Sequence, residues 1–143
     1  MSSETEPDAD VAWMQRQRAA VEAYLAAEGV AHGGVAAEPD WYEPDVVAIW
    51  PVQSAATPGA LGWWAVSGDV PTDYVTADPQ MDARAALAAI AARWQAAATR
   101  MAAGLEPEGL VIGVPDEWPV LAPMLKSRAD TLAAWAADAE LWS

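Results

Sequence analysis

Gly62-Trp63-Trp64-Ala65-Val66-Ser67-Gly68-Asp69-Val70-Pro71-Thr72-Asp73-Tyr74 is the stretch that decides the fold. Leu61 to Ser67 is almost continuously apolar and reads as a strand covered on both faces. Side chains alternate across a strand, so Trp63 and Trp64 must point to opposite faces. The next segment, Gly68 to Asp78, is dense in Asp, Thr and Pro, residues that bond or fix their own backbone in turns. Asp45-Val46-Val47-Ala48-Ile49-Trp50 is a second β-branched run, ending at Pro51 or soon after. Thr57-Pro58-Gly59 marks a turn between the two runs, close enough in sequence for an antiparallel hairpin.

Around this hairpin the periodicity turns helical. Val11, Met14, Val21 and Leu25 share one stripe, widened by Trp13 and Tyr24, which predicts a helix over residues 10–28. Asp8 or Asp10 caps its start and Gly29 ends it. Residues 29–45 read as a linker with room for a short edge strand. Asp78-Pro79 opens a second helix, with Leu87, Ile90, Ala91, Trp94, Ala98 and Met101 as its core stripe and Gly104 as its end. Leu110-Val111-Ile112 offers a short third strand. A third helix starts at Asp116-Glu117-Trp118-Pro119, and Pro123 should break or kink it. Leu125, Leu132, Trp135 and Trp142 carry its stripe onward. The expected fold is α+β: a small antiparallel sheet of two to three strands with a central hairpin, packed against three helices in the order α-β-β-α-α. Residues 1–9 read as a disordered acidic tail and residues 10–143 as a single α+β domain.

Composition narrows the chemistry. The chain has 143 residues, enough for one domain with a substantial core. Alanine supplies about a quarter of it, which favours helices. Nine Trp and no Phe mean that indoles provide the large aromatic volume. Without cysteine there are no disulfides, zinc ribbons or thiol nucleophiles. No run approaches the ~18 apolar residues of a membrane span, and the acidic start is unlike a signal peptide. A cytoplasmic location is the expectation. The net charge of −14 repels phosphate backbones and anionic membranes, so direct binding to nucleic acid or membrane is not expected. The same charge attracts basic proteins.

The catalytic motifs are missing. His32 is the only histidine, and Ser67 lacks the glycine two residues earlier that a nucleophile elbow needs. Asp69, Asp73 and Asp78 do not have the spacing of a calcium loop, and turn or cap roles account for them, so no metal is expected. A single lysine and no glycine-rich phosphate cradle argue against a nucleotide cofactor, and none is expected. Trp63, Trp64, Asp69, Thr72, Asp73 and Tyr74 remain as the candidate ligand- or partner-binding residues, with no catalytic residue assigned.

Gly62-Trp63-Trp64, Gly68-Asp69-Val70-Pro71-Thr72-Asp73-Tyr74 and Asp116-Glu117-Trp118-Pro119 resemble segments of an uncharacterised bacterial family, a domain of unknown function from proteobacteria. Gln15-Arg16-Gln17-Arg18, Val21-Glu22-Ala23-Tyr24-Leu25 and Ala134-Trp135-Ala136-Ala137-Asp138 are similar to it as well. The resemblance runs from about Val11 to Trp142 and implies a compact bacterial domain with no assigned activity.

The leading functional expectation is a non-enzymatic binding or protein-interaction domain, of an inhibitor or immunity type. It would engage a basic protein partner or associate with itself through a Trp-rich surface. One alternative is a small-molecule-binding or enzymatic domain using the Gly68–Asp78 loop. Another is an acidic mimic of nucleic acid.

Overall fold

The computed structural model describes residues 2–108 and 112–142. Its order is α1 (Ser2–Ala27), β1 (His32–Val35), β2 (Trp41–Glu43), β3 (Val47–Ser54), β4 (Leu61–Gly68), β5 (Asp73–Thr76), α2 (Ala83–Ala102) and α3 (Trp118–Ala137). Short 3-10 turns cover Pro115–Glu117 and Ala139–Trp142. The chain divides into two compact units, one up to Ala86 and one from Leu87 on.

The first unit is a five-stranded antiparallel sheet with α1 on one face. The expected hairpin is there: β3 and β4 pair from Val47↔Gly68 to Gln53↔Leu61. It is the centre of the sheet. β5 extends it beyond β4, while β1 and β2 follow one another along the far edge of β3. Five strands therefore replace the expected two to three, and all five precede α2. β1 and β2 lie in the stretch read as linker, and β5 lies in the stretch read as a turn. Each is three or four residues long, too short to show a period. Two of the four residues of β1 are glycines, which carry no strand signal of their own.

β3 also continues three residues past Pro51. Proline is tolerated there because β1 has ended and β2 has not begun. The Pro51 carbonyl accepts from the Ala36 N–H, 3.0 Å away, and its ring nitrogen faces the same interrupted edge, where no ladder donor is needed.

Alternation sorts the side chains onto two faces. Ala48, Trp50, Val52, Trp63 and Ala65 pack with Trp13, Val21 and Leu25 of α1. Val47, Ile49, Trp64 and Val66 belong to the opposite face and are buried too. The central hairpin is thus covered on both sides, as its unbroken apolar runs require. α1 ends as expected at Gly29, whose φ of 72° is easy only for glycine. Gly29 N–H donates to Ala26 O and Val30 N–H to Leu25 O, closing the last turn in a Schellman arrangement. Val30 then folds against the core.

In the second unit, α2 buries the expected stripe of Leu87, Ile90, Ala91, Trp94, Ala98 and Met101. Its start lies four residues later than expected. Asp78 holds a turn by accepting from Gln80 N–H, and Asp82 is the residue that caps α2, accepting from Ala85 N–H at 2.8 Å. Two acids with the same capping chemistry stand close together, and sequence alone favours the one beside proline. α3 runs through Pro123 without the break that was one of the two expected outcomes. Pro123 lies in the second turn, so its missing N–H deprives only the Pro119 carbonyl, and Pro119 is exposed to water. Leu110 and Val111 of the expected third strand lie outside the described residues.

Candidate functional site

The six candidate residues do not converge. Register pairs Trp63 with Thr76, Trp64 with Val75, Ala65 with Tyr74 and Val66 with Asp73. Trp63 and Tyr74 therefore share the α1 face, where the Tyr74 ring meets Tyr24 edge-on at 6.1 Å. Trp64 and Asp73 share the other face, both buried. Asp69 and Thr72 lie in the connection between β4 and β5, Asp69 exposed and Thr72 half-buried. A period of two separates residues that are adjacent in sequence by the thickness of the sheet.

Most of the polar groups with catalytic potential already have structural work. Ser67 is buried on β4, and its Oγ accepts the indole N–H of Trp50 at 3.1 Å. Nδ1 of His32 accepts from the Gly34 N–H at 3.0 Å, holding the irregular register of β1. Arg18 reaches from α1 to the end of β1. Its Nη2 donates to Val35 O at 2.8 Å, its Nε to Ala36 O at 3.0 Å, and its Nη1 to Glu22.

Gly68 is structural as well. Its φ is 133°, and a Cβ there would stand 2.3 Å from the Val46 carbonyl oxygen. The close approach lets Asp69 N–H donate to that same oxygen at 2.8 Å. The turn after β4 is thereby clamped to the turn before β3.

That clamp gathers charge. Glu38 and Asp40 lead into β2, Glu43 ends it, Asp45 follows it, and Asp69 is bonded across to Val46. All five carboxylate-bearing residues are exposed. Trp41, half-buried on β2, stands among them. Individually these acids read as loop solubility. Their signal is the gap in the opposite charge: residues 19–83 contain Glu22, Glu28, Glu38, Asp40, Glu43, Asp45, Asp69, Asp73, Asp78 and Asp82, and not one Lys or Arg. The whole sheet is built from that interval. Among the described residues, no three His, Cys, Asp or Glu come together as a metal site. None of the helices there is long and apolar enough to cross a membrane.

The second unit offers a different surface. Ala98, Thr99 and Ala102 of α2 and Ala122, Pro123 and Lys126 of α3 line an open groove of about 320 Å³. Beyond it, Lys126 Nζ and Gln95 Nε2 both donate to Asp130, at 2.6 and 3.1 Å. These two bonds hold the Asp130 carboxyl below its ordinary pKa, the Lys126 bond contributing more.

No curated protein and no solved structure matches the chain. A family model does, over residues 8–142, almost the whole length. By that match the chain belongs to the family described as Domain of unknown function (DUF4826).

Proposed function

We propose that this chain is a non-catalytic binding domain whose sheet, at the β2 edge, receives a basic segment of another protein. The supporting observation is the single-signed interval 19–83, which contains all five strands, ten acidic residues and no Lys or Arg. Five of the acidic residues are exposed around β2, beside the half-buried ring of Trp41. A cluster of one sign speeds encounter with the opposite sign and selects against like-charged partners. The engagement of Ser67 and His32 in structural hydrogen bonds supports a non-catalytic role. A nucleic-acid mimic is the special case in which the partner's basic surface normally holds phosphates.

The test separates a local site from bulk charge. Binding of a Lys/Arg-rich peptide is measured by fluorescence anisotropy at low salt for three proteins. One is unaltered, one carries Glu43→Gln, Asp45→Asn and Asp69→Asn, and one carries Glu106→Gln, Glu108→Gln and Asp116→Asn. Both variants lose the same charge. The β2 variant should bind roughly tenfold more weakly, a loss of about 1.4 kcal/mol, and the other should change far less. Equal losses in the two variants, or no binding by the unaltered chain, would sink the reading.

A further inference from the structure

The first two turns of α3 are apolar on every side. Trp118-Pro119-Val120-Leu121-Ala122-Pro123-Met124-Leu125 contains no charged residue and no polar side chain except the indole N–H, and that N–H donates to Ile112 O. A helix that is hydrophobic all round is ordinarily buried all round. Here only one side is covered. Trp118, Ala122 and Leu125 are buried, while Val120 is 65% exposed and Met124 53%, with Pro119 and Pro123 exposed beside them. Val120 and Met124 are four apart and stand one above the other on the helix. From Lys126 on the sequence turns charged, so the uncovered apolar surface stops abruptly after two turns.

We infer that this surface is a two-fold contact between two copies of the chain. Two observations select a second copy as the occupant. The first is shape. A two-fold interface applies one patch to itself, so the patch must contain both the protruding and the receiving half of the contact. This one does: Val120 and Met124 project on one flank of Pro123, and the groove lined by Ala98, Ala102 and Ala122 lies on the other. The second is charge. Residues 87–143 hold 7 acids against 4 bases, while residues 1–86 hold 14 against 3. The patch itself is neutral, and the lysine at the rim of its groove is already paired with Asp130. A basic partner gains nothing here and a second acidic chain loses little. Of the tryptophans that could form such a surface, Trp50, Trp64 and Trp118 are buried and Trp63 is half-buried.

Eight residues of helix extend only about 12 Å. Contacts of this size fall in the weak, transient class. The dimer should therefore form in the micromolar range or above and exchange with monomer.

Sedimentation velocity over a concentration series tests it on the full chain. The unaltered protein should move from 15.1 kDa toward twice that mass as concentration rises. The variant Val120→Glu with Met124→Glu should remain monomeric at every concentration. Both positions are exposed, so the fold should survive, and far-UV circular dichroism checks that it does. If the double variant misfolds, Val120→Ser with Met124→Ser provides the same comparison without new charge. Added salt should leave the dimer intact or strengthen it, whereas it should weaken binding of the basic peptide. The two sites therefore fail independently. A monomer at all concentrations overturns the inference. So does a dimer indifferent to both double variants, or one that salt dissociates.

Discussion

The indole N–H of Trp50 donates to the hydroxyl of Ser67 at 3.1 Å, and both residues have no exposed surface. β3 and β4 are thus joined on their α1 face by a side-chain bond in addition to the backbone ladder. A buried polar pair of this kind costs little when complete and much when halved, because the surviving partner stays desolvated. Trp64, two strand positions before Val66, is the contrasting case. It is 4% exposed, and its indole N–H has no hydrogen-bond partner among the described residues.

The contrast gives a paired expectation. Ser67→Ala strands the Trp50 N–H and should cost about 1–3 kcal/mol. Trp50→Phe and Trp64→Phe remove similar volumes, but only the first breaks a hydrogen bond. Trp50→Phe should therefore be the more destabilising by about 1 kcal/mol or more. Urea denaturation of the three variants measures this. A Trp64→Phe penalty equal to that of Trp50→Phe would show that packing alone sets both costs.

Gly68 should tolerate alanine far less well than Gly29. Both have positive φ, but only Gly29, at 72°, sits in the left-handed region, where an L-residue costs about 1–2 kcal/mol. At Gly29 a Cβ would enter open space, so Gly29→Ala should cost that amount and no more. At Gly68 it would meet backbone at the start of β3: the Val46 oxygen at 2.3 Å and Val47 Cα at 2.9 Å. Neither atom can yield without opening the β3–β4 ladder. Gly68→Ala should lower stability by more than about 3 kcal/mol and abolish the protection of the Asp69 amide against hydrogen exchange.

These two positions also mark what could be read from sequence. Gly29 was legible because it follows a helical stripe of 3.6-residue period, and a glycine after such a stripe has one common role. The hairpin was legible because β3 and β4 are long and unbroken. β1, β2 and β5 were not, because their strand character comes from pairing with a hairpin already in place. Gly68 was visible as part of an unusual segment. Its purpose, admitting the Val46 carbonyl, depends on a register no local pattern encodes. The same holds for the six candidate site residues. Trp63 and Trp64 could be assigned to opposite faces from the period of two, but placing Asp73 and Tyr74 required the strand β5. The anionic character of the sheet was plainly present in residues 19–83, and the whole-chain charge obscured it by averaging.

Arg18 should matter to solubility as well as to stability. Ala36 N–H points toward β3, so the Val35 carbonyl, one residue earlier, points away from it, at the outer edge of the sheet. Arg18 Nη2 occupies that carbonyl. An open edge with unpaired carbonyls is a template for another chain. Arg18→Met keeps much of the aliphatic stem and removes three donor contacts. It should cost about 1.5–3 kcal/mol and raise the rate of aggregation on mild heating, followed by light scattering. Glu22→Gln removes only the exposed i,i+4 ion pair and should cost no more than about 0.5 kcal/mol. Equal effects from the two substitutions would assign the role to the ion pair and not to the β1 carbonyls.

The Asp130 carboxyl gives the second unit an acid-side pH dependence. Its pKa lies below the ordinary 3.8, chiefly through the Lys126 bond and next through the Gln95 bond. A carboxyl depressed in the folded state stabilises the fold above its unfolded pKa, and that contribution is lost as pH falls through the folded value. The contribution is complete at neutral pH, so moving from pH 6 to 8 should leave it untouched. Loss should begin only on acidification below the usual carboxylate range. All three partners are solvent-facing, so the effect on global stability should be slight and the local titration is the better readout. Carbon-detected NMR titration of the Asp130 side chain should give a midpoint below 3.8 in the unaltered chain. Lys126→Met should move it upward, and Gln95→Ala should move it upward by less. Because Gln95 is on α2 and Asp130 on α3, Gln95→Ala also reports whether this bond between the two helices persists in solution. An Asp130 midpoint unmoved by Gln95→Ala would mean that Lys126 acts alone, as an ordinary i,i+4 pair on one helix.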